Sequence, residues 1–228
     1  MKILIGYSRC PHTRAAFEAR GHDVWTCDLR EADHPKHLTC DVWEVLPDKW
    51  DMAILHPMCT YLTVAAAWAF GDGPYHQKVK PGTLVGAARR EARDEALENF
   101  RRLLALPYPK AIENPARSFV STAIRPADQC VQPYEFGDDA SKLTGLWLAG
   151  LPMLQLDPAR RVPGRLVPRH RAMGKSDREN GNTGPDFLER WSNQTDSGQN
   201  NLGPSDDRWL ARSDTYPGIA EGMARAWG

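Results

Sequence analysis

The sequence predicts an α/β fold built on a doubly wound, mostly parallel sheet. Three observations carry this. Short apolar runs bounded by Gly, Pro or Asp recur through the first 150 residues, as buried parallel strands do. Segments with apolar residues at helical spacing stand between them. Asp28, Asp41, Cys59 and Glu113 fall at or just beyond the ends of these runs, where open α/β sheets hold their ligands.

Lys2-Ile3-Leu4-Ile5-Gly6 reads as the first strand. A turn with Ser8 and Pro11 leads to a helix from Thr13 to Arg20, packed through Ala15, Ala16, Phe17 and Ala19 and stopped by Gly21. Asp23 to Cys27 is a second strand, with Asp28 just past its end, and a short third element lies around Leu38 to Val42. Asp51 to His56 is a fourth strand running into Pro57-Met58-Cys59. Gly71 to Gly86, rich in Gly, Pro and Lys, reads as a mobile loop, which suits a lid over the site or plain disorder equally. Arg89 to Ala105 is a helix ended by Pro107 and Pro109. Lys110 to Glu113 is the fifth strand, closed by an Asn114-Pro115 turn, and Leu146-Trp147-Leu148 is a further apolar run. Gln155 to Arg212 is polar and rich in Gly, Pro, Asn and Arg, and Ile219 to Trp227 reads as a small amphipathic helix.

Lys+Arg and Asp+Glu both number 29, so no global positive field recruits nucleic acid, and any such partner must be met by a local patch. The five cysteines are odd in number and form no C-x-x-C pair. That argues against a disulfide framework or a zinc finger and for a reducing, cytoplasmic setting. The apolar run at the N-terminus is too short for a signal peptide or a membrane span. His12 and His56 have no partners at metal-ligand spacing, so no metal is expected, and His56 reads as a hydrogen-bonded strand-end histidine.

Each reactive residue has two readings. Asp28 suits a ribose-binding carboxylate or a turn cap. Cys59 suits an activated thiolate or a small buried hydrophobe. Glu113 suits a protonated carboxyl at a buried strand end, able to donate to a ring nitrogen, or a strand-end salt bridge. Cys10, Cys27, Cys40 and Cys130 read as structural. Arg160, Arg161, Arg165, Arg169, His170, Arg171, Lys175 and Arg178 form a basic stretch interrupted by one acid, Asp177. It suits a phosphate backbone or a solvated loop, and Asn193 and Gln194 nearby suit base contacts or polar turns.

Taken together, Pro57-Met58-Cys59-Thr60 after the fourth strand, Glu113-Asn114-Pro115 after the fifth, Phe136 to Thr144 followed by Gly145 to Gly150, and Arg212 to Ala220 resemble, in order and context, the motifs of the DNA cytosine-5 methyltransferases. Closer still, Glu113 to Pro115, Leu146 to Leu148, Asn193 to Asn200 and Arg212 to Ala220 resemble compact phage-borne relatives of that family. The resemblance implies the Rossmann-like fold of S-adenosylmethionine-dependent methyltransferases. Residues 1–150 would form its catalytic domain, 151–211 a small recognition insert, and 212–228 a segment returning to the catalytic domain. It implies S-adenosylmethionine as cofactor, held by Gly6, Tyr7, Ser8, Asp28, Leu29, Asp41, Val42, Pro57 and Gly218. It implies cytosine-containing DNA as partner, met by Arg165, Arg169, Arg171, Lys175, Asn193 and Gln194, in the cytoplasm of a host cell if the chain is phage-borne. Cys59, Glu113, Asn114 and Lys142 would be catalytic: Cys59 attacks carbon 6 of cytosine, Glu113 donates to ring nitrogen 3, and carbon 5 takes the methyl group. Two departures stand out. Arg9-Cys10-Pro11-His12 replaces the family's glycine-rich loop, and Lys142 and Thr144 replace two basic positions. Two other readings are a same-fold enzyme with another pyrimidine substrate or transferred group, and an inactive nucleic-acid-binding module.

Overall fold

A computed structural model describes residues 1–75, 78–169, 185–203 and 213–228. Seven strands form one sheet: β1 Lys2–Gly6, β2 Asp23–Asp28, β3 His37–Thr39, β4 Met52–Leu55, β5 Lys110–Pro115, β6 Gln129–Val131 and β7 Thr144–Ala149. Their order is β3-β2-β1-β4-β5-β7-β6. β1 to β5 run parallel, and β7 lies antiparallel between β5 and β6. The chain is therefore α/β with a mostly parallel, mixed sheet.

The apolar strand sequences bury both faces. Ile3, Ile5, Met52, Ile54, Ala111, Leu146 and Leu148 pack into one core with Phe17 of helix α1 (Pro11–Glu18) and with Ile219, Met223 and Trp227 of the C-terminal helix α5 (Pro217–Trp227). The alternate residues Leu4, Ala53, Leu55, Ile112 and Trp147 pack into a second core with Phe100 and Leu103 of helix α3 (Gly86–Leu104). Period-two alternation thus divides one apolar run between two helical layers. Residues 217–227 pack in the first layer with Phe17 of α1.

Several boundaries differ from expectation. α1 starts at Pro11, because proline is preset for the first helical turn and lacks only an N–H that would go unused. α3 starts three residues early, at Gly86. A short helix α2 (Val42–Val45) follows β3, and α4 (Phe119–Ala123) follows β5. A 3₁₀ helix spans Val64–Phe70. The described part of 71–85 holds no helix or strand; the Tyr75 hydroxyl donates to the Gly71 carbonyl at 2.9 Å. Within the polar stretch, β8 Arg165–Pro168 and β9 Phe187–Arg190 pair as an antiparallel hairpin, separate from the main sheet. Among the described residues no helix is long and apolar enough to cross a membrane.

Candidate active site

The sheet reverses direction of travel between β1 and β4, and the crevice at such a switch point is where doubly wound sheets bind ligands. Gly6 closes β1. A Cβ there would lie 2.7 Å from Leu55 Cδ2 and 2.8 Å from Val42 Cγ2, so a side chain has no room. Tyr7 then takes a left-handed φ of 58°, a conformation glycine adopts more readily. Its hydroxyl donates to Asn99 Oδ1 at 3.3 Å, and burial pushes its pKa up. The Ser8 N–H donates to the Cys27 carbonyl, and Ser8 Oγ accepts from the Cys10 N–H. At the end of β2, Asp28 Oδ1 accepts from the Arg30 N–H at 3.0 Å, and Leu29 is 74% exposed. Asp41 caps α2: its Oδ1 accepts from the Trp43 N–H at 2.9 Å, and Glu44 completes a capping box. That carboxylate, expected at the cofactor, caps its own helix in the ligand-free chain.

β4 delivers His56, Pro57, Met58 and Cys59. The His56 N–H donates to the Gly6 carbonyl at 3.0 Å, tying the loop to the switch point. The Cys59 carbonyl accepts from the N–H groups of Leu62 and Thr63, so Cys59 opens a tight turn and stays exposed. β5 delivers Glu113 and Asn114. Asn114 Nδ2 donates to the Pro57 carbonyl at 3.1 Å, which clasps the cysteine loop to the glutamate strand. Asn114 Oδ1 is buried and meets no partner among the described residues. Asn114 thus joins two elements rather than facing solvent.

Glu113 is nearly buried, and donors surround it. Its Oε2 lies 3.1 Å from His56 Nδ1 and accepts from Thr215 Oγ1 at 3.1 Å, while its Oε1 lies 3.6 Å from Lys142 Nζ. Burial alone would raise its pKa, but Lys142, His56 and Thr215 together outweigh burial and hold it down at about 2. Of the two readings of Glu113, this donor set favours the strand-end salt bridge and the carboxylate form in the ligand-free chain. Lys142 is fixed in turn. Its Nζ donates to the Asp214 carbonyl at 3.0 Å and its N–H to Gln132 Oε1 at 2.9 Å.

The C-terminal segment completes the cluster. Thr215 was not foreseen, because a lone threonine before a recognisable Tyr-Pro-Gly carries no signal of its partner 102 residues away. Gly218, expected at the cofactor, serves packing. Its N–H donates to Asp138 Oδ2 at 2.9 Å, and a Cβ there would come within 2.3 Å of the Phe136 carbonyl oxygen.

The recognition residues divide. Asn193 spends its amide on the chain itself: Oδ1 accepts from the Ser141 N–H, and Nδ2 donates to the Ser141 carbonyl and the Tyr216 hydroxyl. Gln194 likewise accepts from the Trp191 N–H and donates to the Gly198 carbonyl. In the ligand-free chain both amides thus shape loops, as the polar-turn reading of these residues has it. Three arginines of the basic stretch meet acids from elsewhere: Arg160 meets Glu221, Arg161 meets Glu189, and Arg165 meets Asp196. Arg169 hydrogen-bonds the Pro185 carbonyl at 3.4 Å. Arg171 and Lys175 lie outside the described residues. All five cysteines remain thiols; Cys10 and Cys27 are buried as expected, but Cys130, expected to be structural, is exposed on edge strand β6. Among the described residues no cluster of His, Cys, Asp or Glu is arranged to hold a metal. Compared with known proteins, the chain matches no family model and no curated protein.

Proposed function

We propose that the chain is an S-adenosylmethionine-dependent cytosine-5 methyltransferase acting on DNA, as its motifs imply. The observation that carries the reading is the Asn114–Pro57 hydrogen bond of 3.1 Å, which brings the Cys59 turn and Glu113 together beyond the strand ends. A soft nucleophile and a polar group for the base edge are then carried by the ends of neighbouring strands, β4 and β5.

The chain's residues fit the cofactor at the ribose: Asp28 stands beyond β2 with only Oδ1 engaged by the backbone of its own turn, which leaves Oδ2 for a hydroxyl. Gly6, Tyr7, Ser8 and Val42 line the turn beside it. When bound, the cofactor supplies an electrophilic methyl group. Cys59 supplies the nucleophile for carbon 6 of an unstacked cytosine, and Asn114 holds its loop in register with Glu113. Glu113, ionised before substrate arrives, accepts from the exocyclic amine of the base. Arg165, Arg169, Arg171 and Lys175 are assigned to the DNA backbone.

The ion pairs of Arg160, Arg161 and Arg165 favour a second reading, a same-fold enzyme for a small pyrimidine nucleotide, because they leave less charge for a phosphate backbone. Mass spectrometry of the nucleoside product separates the two. 5-Methylcytosine recovered from DNA supports the first reading, and product recovered only from free nucleotide supports the second. Glu113→Gln keeps an oxygen that can accept from the amine but loses the negative charge, and is expected to lower turnover while sparing cofactor binding. Turnover at the wild-type rate would remove Glu113 from the assignment.

A further inference from the structure

Outside the Glu113 cluster, two cysteines meet in the second core, on the α3 side of the sheet. Cys27 of β2 is in register with Leu38 of β3, and Cys40 follows β3 by one residue. Residues two apart along a strand point to one face, so Cys40 is carried to the side that holds Cys27. The two sulfurs lie 3.7 Å apart, and the Cys27 thiol also donates to the Cys40 carbonyl at 3.5 Å. Cys27 is fully buried and Cys40 half-buried. Burial, and then the Cys40 sulfur beside it, push the Cys27 thiol up to about 12, so it rests protonated. Cys40 is the sulfur that a reagent from solvent meets, and Cys27 is held directly behind it. Each cysteine also immediately precedes an acid assigned to the cofactor: Asp28 follows Cys27, and Asp41 follows Cys40. Cys40 stands outside the β2–β3 ladder and just before the α2 cap, so it can shift without breaking a strand pair.

We propose that Cys27 and Cys40 form a thiol–disulfide exchange site that takes a low-molecular-weight disulfide as oxidant, and that closing it weakens cofactor binding. The first half stands on the two sulfurs alone, and the second rests on the cofactor reading of Asp28 and Asp41. The Cys40 thiolate attacks one sulfur of the small disulfide. A mixed disulfide forms, the small disulfide's own S–S bond breaks, and one small thiolate leaves. The Cys27 sulfur then attacks the Cys40 sulfur, its proton passes to solvent, and the second small thiolate leaves. Two protein thiols and one small disulfide thus become one protein disulfide and two small thiols. The protein sulfurs lose two electrons and the small disulfide gains them. The sulfurs must close to about 2.05 Å, which draws the end of β2 toward the cap of α2 and shifts Asp28 against Asp41.

The test treats the reduced full chain with oxidised glutathione and maps its disulfides by peptide mass spectrometry. Calorimetry then compares S-adenosylmethionine binding before and after. A direct Cys27–Cys40 link is expected in wild type. Cys27→Ser is expected to stop at a Cys40–glutathione adduct, and Cys40→Ser to leave Cys27 reduced. Oxidation is expected to weaken wild-type cofactor binding ~5–150-fold, and dithiothreitol to restore it. The same treatment is expected to leave binding by Cys40→Ser unchanged, although its exposed Cys59 and Cys130 take up glutathione as in wild type. A wild type that carries glutathione at Cys59 and Cys130 but no Cys27–Cys40 link overturns the exchange site. A link without loss of affinity, or an equal loss in Cys40→Ser, overturns its coupling to the cofactor. A reduced wild type that binds no S-adenosylmethionine overturns the cofactor reading and the coupling with it, while the disulfide map still decides the exchange site.

Discussion

Glu113 Oε2 accepts from Thr215 and lies against His56, and Oε1 faces Lys142, so the charge state of one carboxyl is set by residues from β4, the loop before β7 and the C-terminal segment. Thr215→Val removes one donor at nearly constant shape. Glu113's pKa is expected to rise, and the acid limb of the rate profile with it, whereas Thr215→Ser keeps both in place. A hydrogen bond to a charged group contributes ~1.5–3 kcal/mol, so thermal melting is expected to report the same loss. The linkage has a definite sign. Glu113 is depressed from 4.5 to about 2, so its stabilisation is complete above the higher value and is lost as pH falls toward the lower. A shift of that size corresponds to about 3 kcal/mol. Urea midpoints between these pH values are expected to fall more steeply for wild type than for Glu113→Gln. Cys59 and Glu113 were legible because strand ends can be read from apolar runs, and His56 was legible as a hydrogen-bonded strand-end histidine. Glu113's salt bridge was one of two readings left open, but its partners Thr215 and Lys142 were not legible, because they reach it across distances that local pattern does not encode.

At the scale of elements, the strands that bury both faces were the readable ones. Lys2–Gly6 and Met52–Leu55 are apolar enough to announce themselves, and β5 was read from Ala111-Ile112 between two prolines and the Asn114-Pro115 turn. β6, β8 and β9 span three or four residues of mixed character and announce nothing. The reversed direction of β7 was equally hidden, since an apolar run reads the same either way. The α5 N-terminus offers the test at this scale. Gly218 is pressed against the Phe136 carbonyl, and backbone cannot swing aside as a side chain can. Gly218→Ala is expected to destabilise by ~1–3 kcal/mol, read as a lower Tm with or without cofactor. A loss of cofactor affinity at unchanged Tm would place Gly218 at the ligand instead.

Over the whole molecule, Lys+Arg and Asp+Glu balance at 29 each, and among the described residues of the basic stretch three arginines are paired locally as well. The arginines at 160, 161 and 165 look like an uncompensated basic run in sequence, but Glu221, Glu189 and Asp196 arrive from other segments to meet them. Contacts with eight phosphates would give a salt slope of about −7, and DNA binding here is expected to show a clearly shallower one in a log–log titration. Net charge was legible from composition, but its pairing was not, because pairing depends on the hairpin and on α5. The central claim is that Cys59 and Glu113 form one methyl-transferring centre. Its most direct test is transfer of radiolabel from methyl-labelled S-adenosylmethionine to cytosine-containing DNA, with wild type and Cys59→Ala side by side. The account predicts label with wild type and none with Cys59→Ala. Equal label from both, or none from a wild type that binds the cofactor, would contradict it.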